Sequence, residues 1–106
     1  MQQMNAKQVA NYIKQADTKP TLVDVREPNE IEICAIDGAI NIPLSNFQPA
    51  LDQLDPEQEI VLICHHGIRS LRAGMFLEEQ GYTKLINMLG GIDDWACEVD
   101  PQMRRY

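Results

Sequence analysis

Long apolar runs are the first thing this sequence lacks. No segment of its 106 residues approaches the roughly 18 consecutive apolar residues that a membrane-spanning helix requires. The opening "MQQMNAKQ" has no apolar stretch behind a basic start, so it does not read as a secretory signal, and a cytoplasmic protein is the expectation. Cysteine is scarce as well: the three, Cys34, Cys64 and Cys97, form no CxxC pair. Neither a disulfide framework nor a zinc site is expected, and each is read as a free thiol. Positive charge is also in short supply, with 9 Lys and Arg against 16 Asp and Glu and a net charge of -7. This balance argues against a nucleic-acid or anionic-membrane partner. With no repeat, low-complexity tract or linker, the length fits one domain over residues 1–106.

Within that span, strand-like and helix-like segments alternate. Asn5 is placed to cap a helix on which Ala6, Val9, Ile13 and Ala16 recur at helical spacing, closed by "DTKP". "TLVDV" (21–25) reads as a short buried strand, "EPNEIEI" as a loop with about one helical turn, and "GAINIP" (38–43) as a second strand ended by proline. The strongest strand signal is "EIVLIC" (59–64), continuous and β-branched as a strand buried on both faces should be. A helix over 70–80 with a cap at Gly81, a strand over 84–89 and a short helix in "GIDDWACEV" complete the pattern. The alternation predicts an α/β fold, with a central parallel sheet flanked by helices on both faces.

The stretch "ICHHGIRS" carries the chemistry. In parallel sheets the ligand crevice lies beyond the carboxyl ends of the strands, which is where Cys64 falls. The following helix aims its N-terminus, with its partial positive charge and unpaired N–H groups, back at the loop. Gly67 allows the chain to turn so that successive amides curl into an anion-binding nest. Arg69 adds a permanent cation, with Arg72 one turn further on. Helix N-termini and neighbouring cations favour the thiolate, the reactive form of a cysteine. A locally positive loop on an acidic protein is thus expected, able to receive an anion.

Several stretches in order resemble the rhodanese-like (sulfurtransferase) domains: "LVDVREPNE", "IDGAINIPL", "IVLICHHGIRS", "GYTKLINMLGGIDDW" and the ending "VDPQMRRY". The resemblance implies that Cys64 takes a sulfane sulfur from thiosulfate or a similar small-molecule donor. It becomes a persulfide and passes the sulfur to a thiol, cyanide or protein acceptor, with no metal or organic cofactor. Cys64 and Arg69 are then the catalytic residues, and His65, His66, Gly67, Ile68 and Ser70 bind substrate. The loop Cys-x4-Arg has the rhodanese length, whereas the related cell-cycle phosphatases have one residue more. Two other readings stay open: a partner-docking or sensory domain on the same fold, and a phosphatase or arsenate reductase.

Other residues carry plainer expectations. His65 and His66 are adjacent with no third histidine, and are read as lining the pocket mouth rather than as metal ligands. Asp24 and Arg26 are read mainly as ordering neighbouring loops, Cys34 and Cys97 as small apolar fillers, and Trp95 as core packing. Asp93 and Asp94 are read as a solvated helix start. Where relatives commonly show Gly-His-Ile-x-Gly-Ala, this chain has Cys34-Ala35-Ile36-Asp37-Gly38-Ala39. The usual histidine is missing, which leaves substrate preference open.

Overall fold

The run Ile60-Val61-Leu62-Ile63 has no polar position, so neither face of a strand made from it can be left in water. In the computed structural model, which describes Met1–Tyr106, this run is β4 (Ile60–Ile63), and all four residues are buried. The other strands are β1 (Gln2–Asn5), β2 (Thr21–Asp24), β3 (Ile40–Asn41) and β5 (Leu85–Leu89). They form one sheet in the order β1-β5-β4-β2-β3, every pair parallel, with β4 at the centre. The helices are α1 (Ala6–Gln15), α2 (Pro28–Ile31), α3 (Ala50–Gln53), α4 (Ile68–Glu79) and α5 (Gly91–Glu98).

Strand alternation sorts the core into two layers. Ile60, Leu62 and Cys64 share one layer with Ala50 of α3 and Ala73 and Leu77 of α4, whereas Val61 and Ile63 share the other with Ala6 and Val9 of α1 and Ile92 of α5. The expected sheet with helices on both faces is therefore observed, and Cys64 leaves the sheet on the side of α4. Each fully buried aliphatic side chain in these layers contributes about 1.5–3 kcal/mol relative to an exposed one. No helix is long and apolar enough to cross a membrane.

Local signals explain several boundaries. The side chain of Asn5 accepts from the Gln8 amide, and that of Gln8 accepts from the Asn5 amide, both at 2.8 Å, a reciprocal cap for α1. At the end of α4 the Tyr82 amide donates to Leu77 O (3.1 Å) and the Gly81 amide to Glu78 O (3.0 Å), which fits the expected cap.

Other expectations need correction. The second strand is only Ile40–Asn41, and α4 begins at Ile68 rather than residue 70 because Gly67 (φ 99°) already turns the chain into it. The edge strand β1 was not expected: "QQMN" has no strand pattern, and only pairing with β5, from Gln2 opposite Ile86 to Asn5 opposite Leu89, extends it. Helix α3 and a short 3-10 turn (Leu44–Asn46) likewise occupy what reads as a polar loop.

Of the glycines, Gly91 comes closest to other main-chain atoms. It has φ 60°, and a Cβ there would lie 2.3 Å from His65 O and 2.4 Å from Cys64 O. Both atoms belong to the backbone, so neither can rotate away. Gly91→Ala is expected to destabilise the fold by more than about 2 kcal/mol, from left-handed strain plus this overlap. Urea unfolding of the purified variant measures it; a loss within about 0.5 kcal/mol, the range of neutral surface changes, would contradict this account.

Candidate functional site

Helix α5 holds the loop after β4 by its main chain. The amide of Ile92 donates to Cys64 O (2.8 Å) and that of Asp93 to His65 O (3.2 Å). A trans peptide sends its N–H opposite to its C=O, and the chain has no cis bonds. With these two carbonyls turned toward α5, the amides of His65 and His66 point away from it, toward the side of α4. Neither makes a hydrogen bond within the chain, nor do the amides of Ile68, Arg69 and Ser70 at the start of α4.

On that side lies Cys64, 1% exposed. Its Sγ accepts from the Gly67 amide at 3.0 Å and lies 3.3 Å from Ser70 Oγ. Gly67 caps α4 in a left-handed conformation, and a Cβ there would press on Met88 O and the Gly90 amide, each at 3.2 Å. Sulfur, free amides and a helix start are thus gathered in one loop. This arrangement suits binding negative charge next to a nucleophile.

Arg69 closes the loop but does not stand free. Its Nη1 and Nη2 donate to the two carboxylate oxygens of Glu30, in α2, at 2.6 and 2.8 Å. The Glu30 pairing pushes the guanidinium further above its ordinary value, and the nearby Cys64 acts in the same direction. The same bonds, opposed by burial and helped by the Tyr106 hydroxyl, pull Glu30 down from 4.5 to about 2. Tyr106 donates to Glu30 Oε2 (2.7 Å) and accepts from Arg26 Nη1 (3.0 Å). Burial chiefly pushes its phenol up to about 12. Arg69, read as a permanent cation of the loop, keeps its charge, but much of that charge is answered by Glu30, and the unpaired amides of the loop add to its positive character.

Arg26 is fully buried, and its partners surround it. Nε and Nη2 hold the Asp24 carboxylate at 2.8–3.1 Å, Nη2 also reaches Cys34 O (2.8 Å), and Nη1 reaches Glu30 O (3.4 Å). One buried ion pair thereby ties α2 and residue 34 to the end of β2, the ordering role expected of it.

The remaining candidates scatter. Ile68 is 65% exposed. The half-buried His65 ring is stacked between His66 (4.0 Å) and Tyr106 (3.9 Å), and its Nε2 meets the main-chain oxygen of Tyr106 at 3.0 Å. Burial, followed by the neighbouring His66, holds His65 below its ordinary 6.5. His66 is exposed, 3.9 Å from Asp93. Ligand atoms of His65, His66 and Asp93 lie within 4.8 Å of one another, a grouping that sequence spacing does not reveal. The two imidazole planes are nearly parallel, at 19°, so their in-plane lone pairs do not converge, and the Asp93 carboxylate already accepts from Arg105 at 3.0 and 3.3 Å.

Some plainer expectations also change. Asp94 is not merely solvated, since its Oδ2 accepts from the Ala6 amide at the start of α1 (3.0 Å). Cys97 is exposed and so fills no core, whereas the half-buried Cys34 packs against the α1 and α5 layer, where Trp95 also packs. The residues that sequence reasoning missed are Glu30, Tyr106 and Asn87. Glu30 is one of three similar glutamates in "REPNEIEI", and nothing local singles it out.

The architecture defines a class: a parallel α/β domain whose central strand delivers a cysteine into a six-residue loop closed by arginine at a helix start. The chain belongs to the rhodanese-like domain family, which matches it over residues 5–98. It is 35% identical over 88 residues to the putative sulfurtransferase YtwF of Bacillus subtilis, covering 83% of this chain and 84% of that protein. It is also 35% identical to a sulfurtransferase of Allochromatium vinosum, covering 76% and 77%. The crystal structure of a rhodanese-related protein from Thermoplasma volcanium superposes with a TM-score of 0.81 at 33% identity, over 93% of this chain and 94% of that one. Of three further curated relatives the chain spans 30%, 46% and 64% of the length.

Two outcomes are expected here. Because Glu30 titrates lower in the fold than its ordinary 4.5, its contribution to stability is present above that pH and is lost as the pH falls toward about 2. Glu30→Gln should flatten that part of a stability-against-pH profile, and an unchanged slope would contradict the pairing. Asp24→Ala leaves a buried guanidinium without its counter-charge and should cost about 3–5 kcal/mol in chemical denaturation.

Proposed function

We propose that this chain is a rhodanese-type sulfurtransferase that carries sulfane sulfur as a persulfide on Cys64. The observation that carries the reading is the placement of Cys64 Sγ at the end of the central strand, against the Gly67 amide and among unpaired amides at the start of α4. The relatives named as sulfurtransferases support it.

In the first half-reaction the Cys64 thiolate attacks the outer sulfur of a thiosulfate-like donor. A new S–S bond forms, the donor's S–S bond breaks, and its electron pair leaves with sulfite. In the second, a thiolate, cyanide or protein thiol attacks the outer persulfide sulfur, and Cys64 departs as thiolate. Each difficult transfer is thus divided into two displacements at sulfur. Loop amides hold the negative charge on the donor, the leaving group and then the outer sulfur. Arg69 contributes its charge and the N–H donors that Glu30 does not engage, since a guanidinium has five. Burial of Cys64 favours a donor whose sulfur projects from its end, as in thiosulfate. His65 and His66, beside the tail, bear on which acceptors approach.

The docking and phosphatase readings are weaker. A docking surface has no use for a cysteine set among free amides, and the loop retains the shorter Cys-x4-Arg length.

Incubation with thiosulfate and cyanide is expected to yield thiocyanate, and mass spectrometry of the thiosulfate-treated protein to show one added sulfur atom on Cys64. Cys64→Ser should reduce both to the uncatalysed background. Wild type that neither turns over nor gains sulfur would end this reading.

A further inference from the structure

Four polar or charged residues are buried in the chain: Asp24, Arg26, Ser70 and Asn87. The first two satisfy each other. The second two lie beneath the reactive sulfur, and Asn87, in β5, has no part in the mechanism above.

The orientation of the Asn87 carboxamide follows from its surroundings. The atom facing Gly67 O at 3.2 Å has to be the nitrogen, because a main-chain oxygen only accepts. The same nitrogen reaches Gln3 Oε1 at 2.9 Å. Oδ1 is left facing Ser70 Oγ at 2.5 Å, and having no proton it accepts the single proton of that hydroxyl. Ser70 Oγ also lies 3.3 Å from Cys64 Sγ. With its proton directed to Asn87, the hydroxyl meets the sulfur with a lone pair, and that contact is a hydrogen bond only while Cys64 carries S–H.

We propose that Asn87 is a positioning residue that sets the balance between thiol and thiolate at Cys64 by holding the Ser70 proton away from the sulfur. Ionisation of Cys64 places a negative sulfur against an oxygen lone pair unless the hydroxyl turns to it, and turning leaves the buried Oδ1 of Asn87 without its donor. A persulfide meets this conflict more weakly, because its charge sits on the outer sulfur and the inner sulfur, though also without a proton, is neutral. Asn87 thus disfavours the empty thiolate more than the loaded form, which favours uptake of sulfur. This last consequence rests on the sulfurtransferase reading; the coupling through Ser70 does not.

Other charged groups surround the loop. Arg69 of α4 is paired with Glu30 of α2, the Asp24–Arg26 pair lies on β2, and His65, His66, Asp93 and the Tyr106 hydroxyl lie on the side of α5. All are present in wild type and variants alike, so a double-mutant cycle through Ser70 separates their influence from that of Asn87.

The experiment is the pH profile of Cys64 alkylation by iodoacetamide, read by peptide mass spectrometry because Cys34 and Cys97 are also thiols. In Asn87→Leu the midpoint should fall by about one pH unit, making alkylation about tenfold faster well below the midpoint. In a Ser70→Ala background the same substitution should change the rate by less than about twofold. A midpoint that stays or rises, or an equal shift without the Ser70 hydroxyl, overturns the proposal. A second measurement needs no variant: in wild type, the NMR signals of the Asn87 side-chain amide should move with pH at the alkylation midpoint, and signals that stay still across it overturn the proposal. Alkylation uses no sulfur donor, so coupled midpoints without sulfur transfer sink only the sulfurtransferase reading. Transfer without coupled midpoints sinks only this one.

Discussion

The loop after β4 depends on one backbone contact. Gly91 lies so close to Cys64 and His65 that no side chain fits between them, and the two following amides donate to the carbonyls of Cys64 and His65. Two consequences follow from the planarity of the peptide unit. The carbonyls that would repel an anion are turned toward α5 and occupied, and their partner amides are turned the other way, to the side where the sulfur lies. The start of α5 therefore does for the loop what side chains do elsewhere, and does so without a charge.

That economy of charge bears on the difficulty posed by an acidic protein with a candidate anion site. The expected source of positive field, Arg69, is bound by Glu30, which is in turn held by Tyr106. An arginine so fixed stiffens the end of the loop, because its guanidinium plane is locked to α2 and, through Tyr106 and the buried Arg26, to the end of β2. Arg69 still acts on the sulfur, and amide dipoles at the start of α4, which are local and act over the first turn of the helix, add to the field there. A net charge of -7 spread over the surface does not reach such a site with full strength, since exposed charges are screened by solvent and salt.

Burial gives the site its remaining character. Cys64 belongs to the same packed layer as Leu62 and Leu77, so the sulfur is presented from the core rather than from a mobile surface loop. Ser70 and Asn87 bring polar atoms into that layer, and the hydrogen bonds between them, the sulfur and Gly67 leave no buried side-chain polar atom unpartnered. A network so enclosed has few alternative arrangements, and the role proposed for Asn87 rests on that enclosure.

Much of this was written in the sequence. Four apolar residues without a polar interruption dictate a central strand, Asn5 with Gln8 dictates a helix start, and the spacing from Cys64 through Gly67 to Arg69 dictates a tight turn into a helix. These signals are local: each depends on residues a few positions apart, whose propensities and periodicities act within one element. The edge strand β1, the pairing of Arg69 with Glu30, the stack of His65 on Tyr106 and the place of Asn87 beneath the sulfur were not legible. Each joins residues 17 to 84 positions apart through contacts that exist only once the sheet has assembled. The sequence by itself determined that a cysteine would stand at the end of a buried strand before a helix. Which groups would face that sulfur, and which would be claimed by other partners, was decided by tertiary packing, because the chain could assign those hydrogen bonds only after distant segments had met.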